Sequence, residues 1–217
     1  MTTSSHSQIL IVGVGGLGEH LVREALERGA QVSVLVRDRT NLEARLDAGT
    51  IAKLTRITVG DATDPAALDS AMQGIDVVIS GNGAHKTMAR RMAEAAKRNR
   101  LGKLIWPAGG TNLMSDDGVT PAYKAYGNSS FNAEAIYKAH QACIDVIRET
   151  GVNYVIFCPG RMTSVGYRSA DVASAVRVNR PAGMFVSYED AAWVILEAAL
   201  TNAWDRELIG AATEVNI

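Results

Sequence analysis

Ile9-Leu10-Ile11-Val12-Gly13-Val14-Gly15-Gly16-Leu17-Gly18 is an apolar run that empties directly into a G-x-G-x-x-G turn. The run reads as a buried strand. The pattern Leu17, Leu21, Val22, Ala25, Leu26 that follows reads as an amphipathic helix, stopped by Gly29 before a second strand, Gln31 to Val36. In that setting each glycine has a physical task. Gly13 permits the tight turn, Gly15 leaves backbone N–H groups open to a pyrophosphate that a Cβ would block, and Gly18 lets the helix pack on the strand. The helix start at Gly16 and Leu17 adds unpaired donors and partial positive charge. Together these point to a dinucleotide site; the competing reading is a glycine-rich turn without a ligand.

Outward from this turn, apolar β-branched runs alternate with helical patterns along the whole chain. Strands are predicted over 8–13, 31–36, 55–59, 75–80, 102–107 and 153–158, with a further short strand near 212–216. Helices are predicted over 17–28, 39–47, 64–73, 84–100, 132–150 and 188–202. Continuous apolar strands such as Val77-Val78-Ile79 and Tyr154-Val155-Ile156-Phe157 suit a parallel sheet covered on both faces. The alternation predicts an α/β fold, doubly wound about a mostly parallel sheet. Residues 8–217 form a single domain in this reading, after a flexible tail at 1–7. The least regular stretches, 108–131 and 159–187, follow the fifth and sixth strands. They are expected to form a small substrate lobe, because ligands in such folds bind outside the carboxyl ends of the strands.

Composition narrows the function classes. The 217 residues are 47% hydrophobic and 21% charged with net charge −1, which argues against a nucleic-acid stripe or a membrane-surface patch. Arg90, Arg91, Lys97, Arg98, Arg100 and Lys103 make a local basic cluster, read as a solvated helix face and its exit. Two cysteines, Cys143 and Cys158, stand at no metal-ligand spacing, so no disulfide framework and no metal site are expected. The leader Met1 to Ser7 is short and polar, unlike a signal peptide or anchor, and a cytoplasmic protein is expected. It would act on a small molecule, as a monomer or homodimer, with no nucleic-acid or membrane partner.

The strand ends say which nucleotide. An acidic residue at the end of the second strand would bond the adenosine ribose and favour NAD; an arginine accommodates a 2′-phosphate. Here the strand ends Val36-Arg37-Asp38-Arg39, so Arg37 replaces the carboxylate and NADP is expected over NAD. Asp38 comes one position too late and is expected to point away or start the next helix, while Arg39 is a second phosphate contact or simply exposed. The third strand ends Val59-Gly60-Asp61-Ala62-Thr63-Asp64-Pro65. Asp61 and Ala62 are read as adenine contacts, the alternative for Asp61 being a turn, and Asp64 as a helix cap before Pro65. After the fourth strand, Gly81-Asn82-Gly83 leaves room for ribose and diphosphate, with Asn82 bonding hydroxyls, or is an ordinary turn.

With these residues in view, the chain resembles the atypical short-chain dehydrogenase/reductases of the NmrA-like, NAD(P)H-binding type, which include flavin and biliverdin reductases. The resemblance rests on the glycine turn, Val34-Leu35-Val36-Arg37-Asp38, Val59-Gly60-Asp61, Ile147-Arg148-Glu149-Thr150-Gly151-Val152-Asn153-Tyr154 and Val186-Ser187-Tyr188-Glu189-Asp190-Ala191-Ala192. It implies a Rossmann-type sheet and an NADP-linked reduction or oxidation of a small carbonyl, quinone or aromatic compound. Departures accompany it. The spacing Gly13-x-Gly15-x-x-Gly18 is shorter than the G-x-x-G-x-x-G of many relatives. After the fifth strand, Ala108-Gly109-Gly110 replaces the family's serine or threonine, and the first hydroxyl is Thr111. The usual lysine position falls on His140 and the tyrosine four earlier on Ile136. Cys158-Pro159-Gly160 stands where relatives often have Arg-Pro-Gly.

Periodicity places Ile136, His140, Cys143, Ile144 and Ile147 on one helical stripe expected to face the sheet and cofactor. Lys138, Asp145 and Glu149 point elsewhere, so Tyr137-Lys138 is not a Tyr/Lys pair for proton transfer. His140 is then either a hydrogen-bonded core histidine or a contact to cofactor or substrate. Tyr123, Tyr126, Thr111 and His140 are the candidate proton donors, the two tyrosines being packing residues in the alternative reading. Ala108, Gly109, Pro159 and Gly160 border the cofactor in this scheme. Cys158 is read as a small buried apolar residue, and Trp193 and Trp204 as core or interface. The leading expectation is an NADP-dependent oxidoreductase. Its rivals are a non-catalytic NADP(H) sensor, suggested by the replaced residues, and a cofactor-retaining isomerase or dehydratase.

Overall fold

The computed structural model describes residues 7–126, 132–164 and 168–213, with the side chain of Tyr126 outside the description. In chain order the elements begin with β1 (Gln8–Val12), α1 (Gly16–Glu27), β2 (Gln31–Val36), α2 (Arg39–Glu43), α3 (Ala48–Ile51) and β3 (Arg56–Val59). They continue with α4 (Pro65–Ala71), β4 (Val77–Ser80), α5 (Lys86–Arg98), β5 (Lys103–Pro107), α6 (Ala133–Thr150) and β6 (Tyr154–Phe157). Last come β7 (Arg161–Thr163), β8 (Arg177–Val178), β9 (Phe185–Ser187), α7 (Tyr188–Leu200) and β10 (Leu208–Gly210).

The main sheet has the order β3-β2-β1-β4-β5-β6-β10-β8, parallel throughout except where β8 runs antiparallel to β10. The doubly wound, mostly parallel Rossmann-type sheet is therefore what the alternation of strands and helices predicts. Successive strand residues serve opposite faces. Ile9, Ile11, Val32, Val34, Ile105 and Phe157 bury against α1 and α7, while Leu10, Val12, Val78, Leu104, Trp106 and Ile156 bury against α4, α5 and α6. The winding reverses between β1 and β4, and in such sheets ligands bind outside the strand carboxyl ends at that switch point.

Helix starts follow local chemistry. Asp38 caps α2 by accepting from Thr40 N at 2.8 Å, and Asp64 caps α4 by accepting from Ala66 N at 3.0 Å with Pro65 at the first helical position. Both aspartates thus take the capping roles foreseen for them. The helix expected over 39–47 is instead two short ones, because Asp47 accepts from Thr50 N at 2.9 Å and starts α3 afresh. Ser7, expected in the tail, already accepts from Gln31 N at 3.1 Å through its carbonyl.

The C-terminal half adds to these expectations. Among the described residues the last strand is β10 at Leu208–Gly210, where Leu208 and Ile209 supply the buried apolar pair that aligns with Ile156 and Phe157. Of the short strand expected near 212–216, only residues 212 and 213 are described, and they are not in a strand. Residues 214–217 lie outside the described residues. The stretch 159–187 is not purely loop: β7 and β9 pair in parallel from Arg161↔Phe185 to Thr163↔Ser187 and form a separate two-stranded sheet. These strands are too short to show a period in the sequence.

Lys103 leaves the solvated basic cluster. It is 3% exposed, and its ammonium donates to the Ala198 carbonyl at 3.0 Å and to the Thr201 carbonyl, and pairs with Asp205. A strand interior forces its stem inward, and the end of α7 receives the charge. The remaining cluster is exposed as expected: Arg90 pairs with Glu149, Arg91 with Glu94 and Arg98 with Asp69. Cys158 is buried at 1% exposure, and desolvation pushes its thiol far above the ordinary range; Cys143 is pushed up to about 11 by the same cause. Among the described residues no helix is long and apolar enough to cross a membrane. No group of three or more His, Cys, Asp or Glu among them could hold a metal ion.

Candidate functional site

The glycine turn is built as its spacing demands. Gly13 has φ +87, in the left-handed region that glycine alone enters without strain. A Cβ on Gly18 or on Gly81 would collide with the Gly13 carbonyl oxygen, so α1 and the end of β4 both close onto the turn. Gly15 differs: a Cβ there would meet nothing within 4 Å. Its missing side chain leaves open space just where α1 begins, and Gly15 makes no side-chain cap to the helix. The donors of the first turn therefore stay free for an anion, and the cradle fits a dinucleotide diphosphate. Gly16 and Leu17 open the helix. Gly16 has the Tyr188 hydroxyl 3.0 Å from where its Cβ would be, and Leu17 is buried, so Leu17 takes part only through its backbone.

Around the turn the other strand ends converge. Arg37 is exposed directly after β2, and its positive charge acts on Asp61 after β3. Asp61 Oδ1 accepts from Thr63 N and from Thr63 Oγ1, both at 2.7 Å. Those hydrogen bonds, with smaller contributions from Arg37 and His85, hold its carboxyl below the usual range. Asp61 therefore shapes the turn at Ala62, the alternative the sequence left open, with only its remaining oxygen spare. Arg39 pairs with Glu43 at 2.9 Å on the exposed face of α2. After β4, the Asn82 carbonyl accepts from Ser80 Oγ at 2.7 Å, while Asn82 itself is exposed at the rim.

His140 bridges two strand ends. Its Nδ1 lies 3.2 Å from the Gly83 carbonyl oxygen, which also accepts from Trp106 Nε1 at 2.9 Å. A Cβ on Gly83 would sit 3.3 Å from His140 Cε1, and one on Gly109 would sit 3.1 Å from Cδ2 and 3.4 Å from Nε2. The imidazole thus packs against both glycines; at Gly109 it is among the nearest atoms a Cβ would meet, whereas Gly83 is kept small first by the Pro107 carbonyl oxygen, 2.5 Å from its Cβ position. Burial lowers its pKa, the Gly83 contact partly offsetting this. His140 is thus hydrogen-bonded to the fold, next to the ends of β4 and β5. Lower on the stripe, Cys143, Ile144 and Ile147 are buried as expected, but Ile136, in the first turn of α6, is 38% exposed, so the stripe does not face the core along its whole length. Lys138 pairs with Glu134 at 2.7 Å on the exposed face of α6, the direction its phase predicts.

The other proposed donors divide. Thr111 is buried, its Oγ1 3.2 Å from Asn112 Oδ1. Asn112 donates to the Tyr137 carbonyl and to Gln141 Oε1, each at 3.1 Å, and so docks the segment after β5 onto α6. The Tyr123 ring stacks on Tyr137 of α6 with centroids 4.4 Å apart. The side chain of Tyr126 lies outside the described residues. Ala108 and Gly110 are tied to β6 and its exit by Ala108 N to the Phe157 carbonyl at 2.7 Å and Gly110 N to the Pro159 carbonyl at 2.6 Å. Gly160 lies so close to the Met184 carbonyl that a Cβ would overlap it. The two irregular stretches also join directly: Met114 N donates to the Asn179 carbonyl at 3.2 Å, and Arg180 donates to the Ser115 carbonyl.

The roles of Trp106, Asn112 and Asp190 escaped the sequence reading. Asp190 is fully buried and accepts from Ser169 N at 2.8 Å, Ser169 Oγ at 2.6 Å and Thr213 Oγ1 at 2.7 Å. It pins the lobe to the start of α7. Its position three residues after Ser187, which caps that helix, is the one signal that marks it.

Known proteins share this architecture. A short-chain dehydrogenase/reductase of Veillonella parvula solved with NADP superposes with a TM-score of 0.72 at 19% identity, covering 96% of this chain and 95% of that one. The anaerobilin reductase ChuY of Escherichia coli O157:H7 superposes with a TM-score of 0.70 at 17% identity, covering 97% of this chain and 100% of that one. An isoflavone reductase homolog of Zea mays is 36% identical over 115 residues, which is 48% of this chain and 36% of that protein. The matched part spans less than half the length of the curated relatives. Residues 13–202 match the NAD(P)H-binding family from the glycine turn to the end of α7, and the chain belongs to that family.

Proposed function

We propose that the protein is an NADP-dependent oxidoreductase acting on a small carbonyl, quinone or aromatic compound. The observation that carries this reading is the open cradle at Gly15 with the exposed Arg37 one strand away. In this reading the first-turn amides of α1 hold the diphosphate, and Arg37 grips the 2′-phosphate with its planar fork. Gly81, Asn82 and Gly83 border the ribose, and Ala108, Gly109, Pro159 and Gly160 border the nicotinamide end. The bound cofactor supplies or accepts a hydride. The chain's part is to orient the substrate, exclude water through the segments 109–127 and 160–185, and manage one proton. The expected setting is the cytoplasm, as a monomer or homodimer.

Titration of NADPH and NADH into wild type and Arg37→Ala, followed by nucleotide fluorescence, tests the cofactor. Loss of NADPH affinity by tenfold or more with NADH little changed is expected; equal loss for both overturns the 2′-phosphate role. A second reading, an NADP(H) sensor, is favoured by Ile136 and His140 in the places of the family's tyrosine and lysine. NADPH oxidation over a panel of quinones, flavins and ketones separates the two. Tight binding without any turnover supports the sensor.

A further inference from the structure

We propose that His140 is locked as an obligate hydrogen-bond acceptor, so that it selects ligand atoms bearing an O–H or N–H and does not itself donate the reaction's proton. This rests on the NAD(P)H reading for the ligand's presence, while the lock itself follows from the protein alone. The Gly83 carbonyl oxygen can only accept. It has two lone pairs, and Trp106 Nε1–H, a donor only, takes one of them at 2.9 Å. The second faces His140 Nδ1 at 3.2 Å, and that contact is attractive only if Nδ1 carries a hydrogen. In the neutral ring Nε2 then carries the lone pair. Burial disfavours the doubly protonated ring that would escape this choice.

Nε2 is the accessible end of the ring. The Nδ1 edge lies over Gly83 and the Nε2 edge over Gly109, so the ring cannot flip without losing the Gly83 bond. Among the described residues Nε2 has no hydrogen-bond partner, yet it is not one of the buried unpartnered atoms. It lies beside Gly109, on the segment just after β5. A carbonyl or carboxylate oxygen placed there would meet a lone pair, whereas a hydroxyl or N–H would be bound. The shared chemistry is a donor, and it comes either from a hydroxyl of the cofactor's ribose or from a hydroxyl or N–H of the substrate. A proton given to a reduced carbonyl must then come from another group or from water.

The test is nitrogen NMR on protein with 15N-labelled histidine, the His140 signals being identified by their absence in His140→Asn. Without ligand, a hydrogen on Nδ1 and a bare Nε2 are expected; a hydrogen on Nε2 overturns the proposal. NADP+ is then added, followed by phenol and, separately, anisole. A shift of Nε2 with NADP+ identifies the ribose as donor. A shift only with phenol, and none with anisole, identifies a substrate hydroxyl. An Nε2 signal unmoved by either overturns the proposal. The cofactor reading fails independently if NADP+ shifts no backbone amide of 13–18, and the tautomer and the phenol arm still decide His140. His140→Asn keeps a donor for Gly83 and deletes Nε2, so it is expected to weaken the identified ligand about fivefold without changing the melting temperature. Undiminished binding by that variant also overturns the proposal.

Discussion

Glu24 on α1 and Arg168, just after β7, form a two-point ion pair with N–O distances of 2.9 and 3.0 Å. Glu24 is buried to 8% exposure and also accepts from Arg28 Nε at 2.7 Å. One carboxylate therefore ties the segment after β7 to the helix that follows the glycine turn, while Arg28 extends the link to Glu197 on α7. Glu24→Gln leaves Arg168 without its countercharge and Arg28 with Glu197 alone, and is expected to cost about 2 kcal/mol of stability. Arg168→Gln, on the half-exposed side, is expected to cost about 1 kcal/mol or less. Urea denaturation of the two variants checks the order; equal effects contradict it.

The glycine turn separates a structural glycine from a ligand glycine. Gly18→Ala drives a methyl into the Gly13 carbonyl and is expected to lower the melting temperature by several degrees. Gly15→Ala meets open space at a φ of −104, which alanine adopts freely. It is expected to leave the melting temperature within a degree or so of wild type while reducing NADP(H) affinity by tenfold or more. Paired calorimetric melts and nucleotide titrations read both effects, and a Gly15→Ala protein that binds normally removes Gly15 from the diphosphate site.

Lys103→Met deletes a buried ammonium. The Ala198 and Thr201 carbonyls and Asp205 lose their shared donor, at a cost of about 3 kcal/mol. Restoring half of that by the double change Lys103→Met with Asp205→Asn is the expected outcome in a double-mutant cycle, because the uncompensated carboxylate is then gone.

Acid weakens the fold through two groups of opposite sort. His140 has a folded pKa below 6.5, so the unfolded chain binds more protons beneath that value. Its contribution is intact above about 6.5 and declines as pH falls towards the lowered pKa. Asp117 accepts from Thr120 Oγ1 and from the amides of Thr120 and Val119, which hold its carboxyl down at about 2. Its contribution is intact above the unfolded value of 3.8 and is lost as pH falls through about 2. Side-chain NMR titration reads both midpoints; an Asp117 midpoint near 4 rejects the second assignment.

The strands and helices that carry the nucleotide cradle were legible because each has a period of its own. Residues 8–13 alternate between two buried faces, Asp38 and Asp64 sit where caps must sit, and Gly13, Gly15 and Gly18 have spacings with a steric meaning. Lys103 was misread because charge in a sequence signals surface, and only the docking of α7 against β5 shows where its ammonium goes. Asp61 was underdetermined for a similar reason: a turn carboxylate and a ligand carboxylate look alike until Thr63 is seen bonded to it. The pair β7 and β9 was invisible, since three-residue strands show no period.

By itself the sequence determined the sheet, its winding and the glycine cradle, because these rest on periodicity and on steric rules local to a few residues. The tertiary structure alone decided what meets at the crevice. Gly83, Trp106, Gly109 and His140 come from β4, β5 and α6 and their ends, and no local pattern links them. Which nitrogen of His140 carries its hydrogen depends on a carbonyl 57 residues away, already shared with Trp106. Hydrogen-bond direction is a property of the assembled site, and it appears only when the fold has brought donor and acceptor within reach.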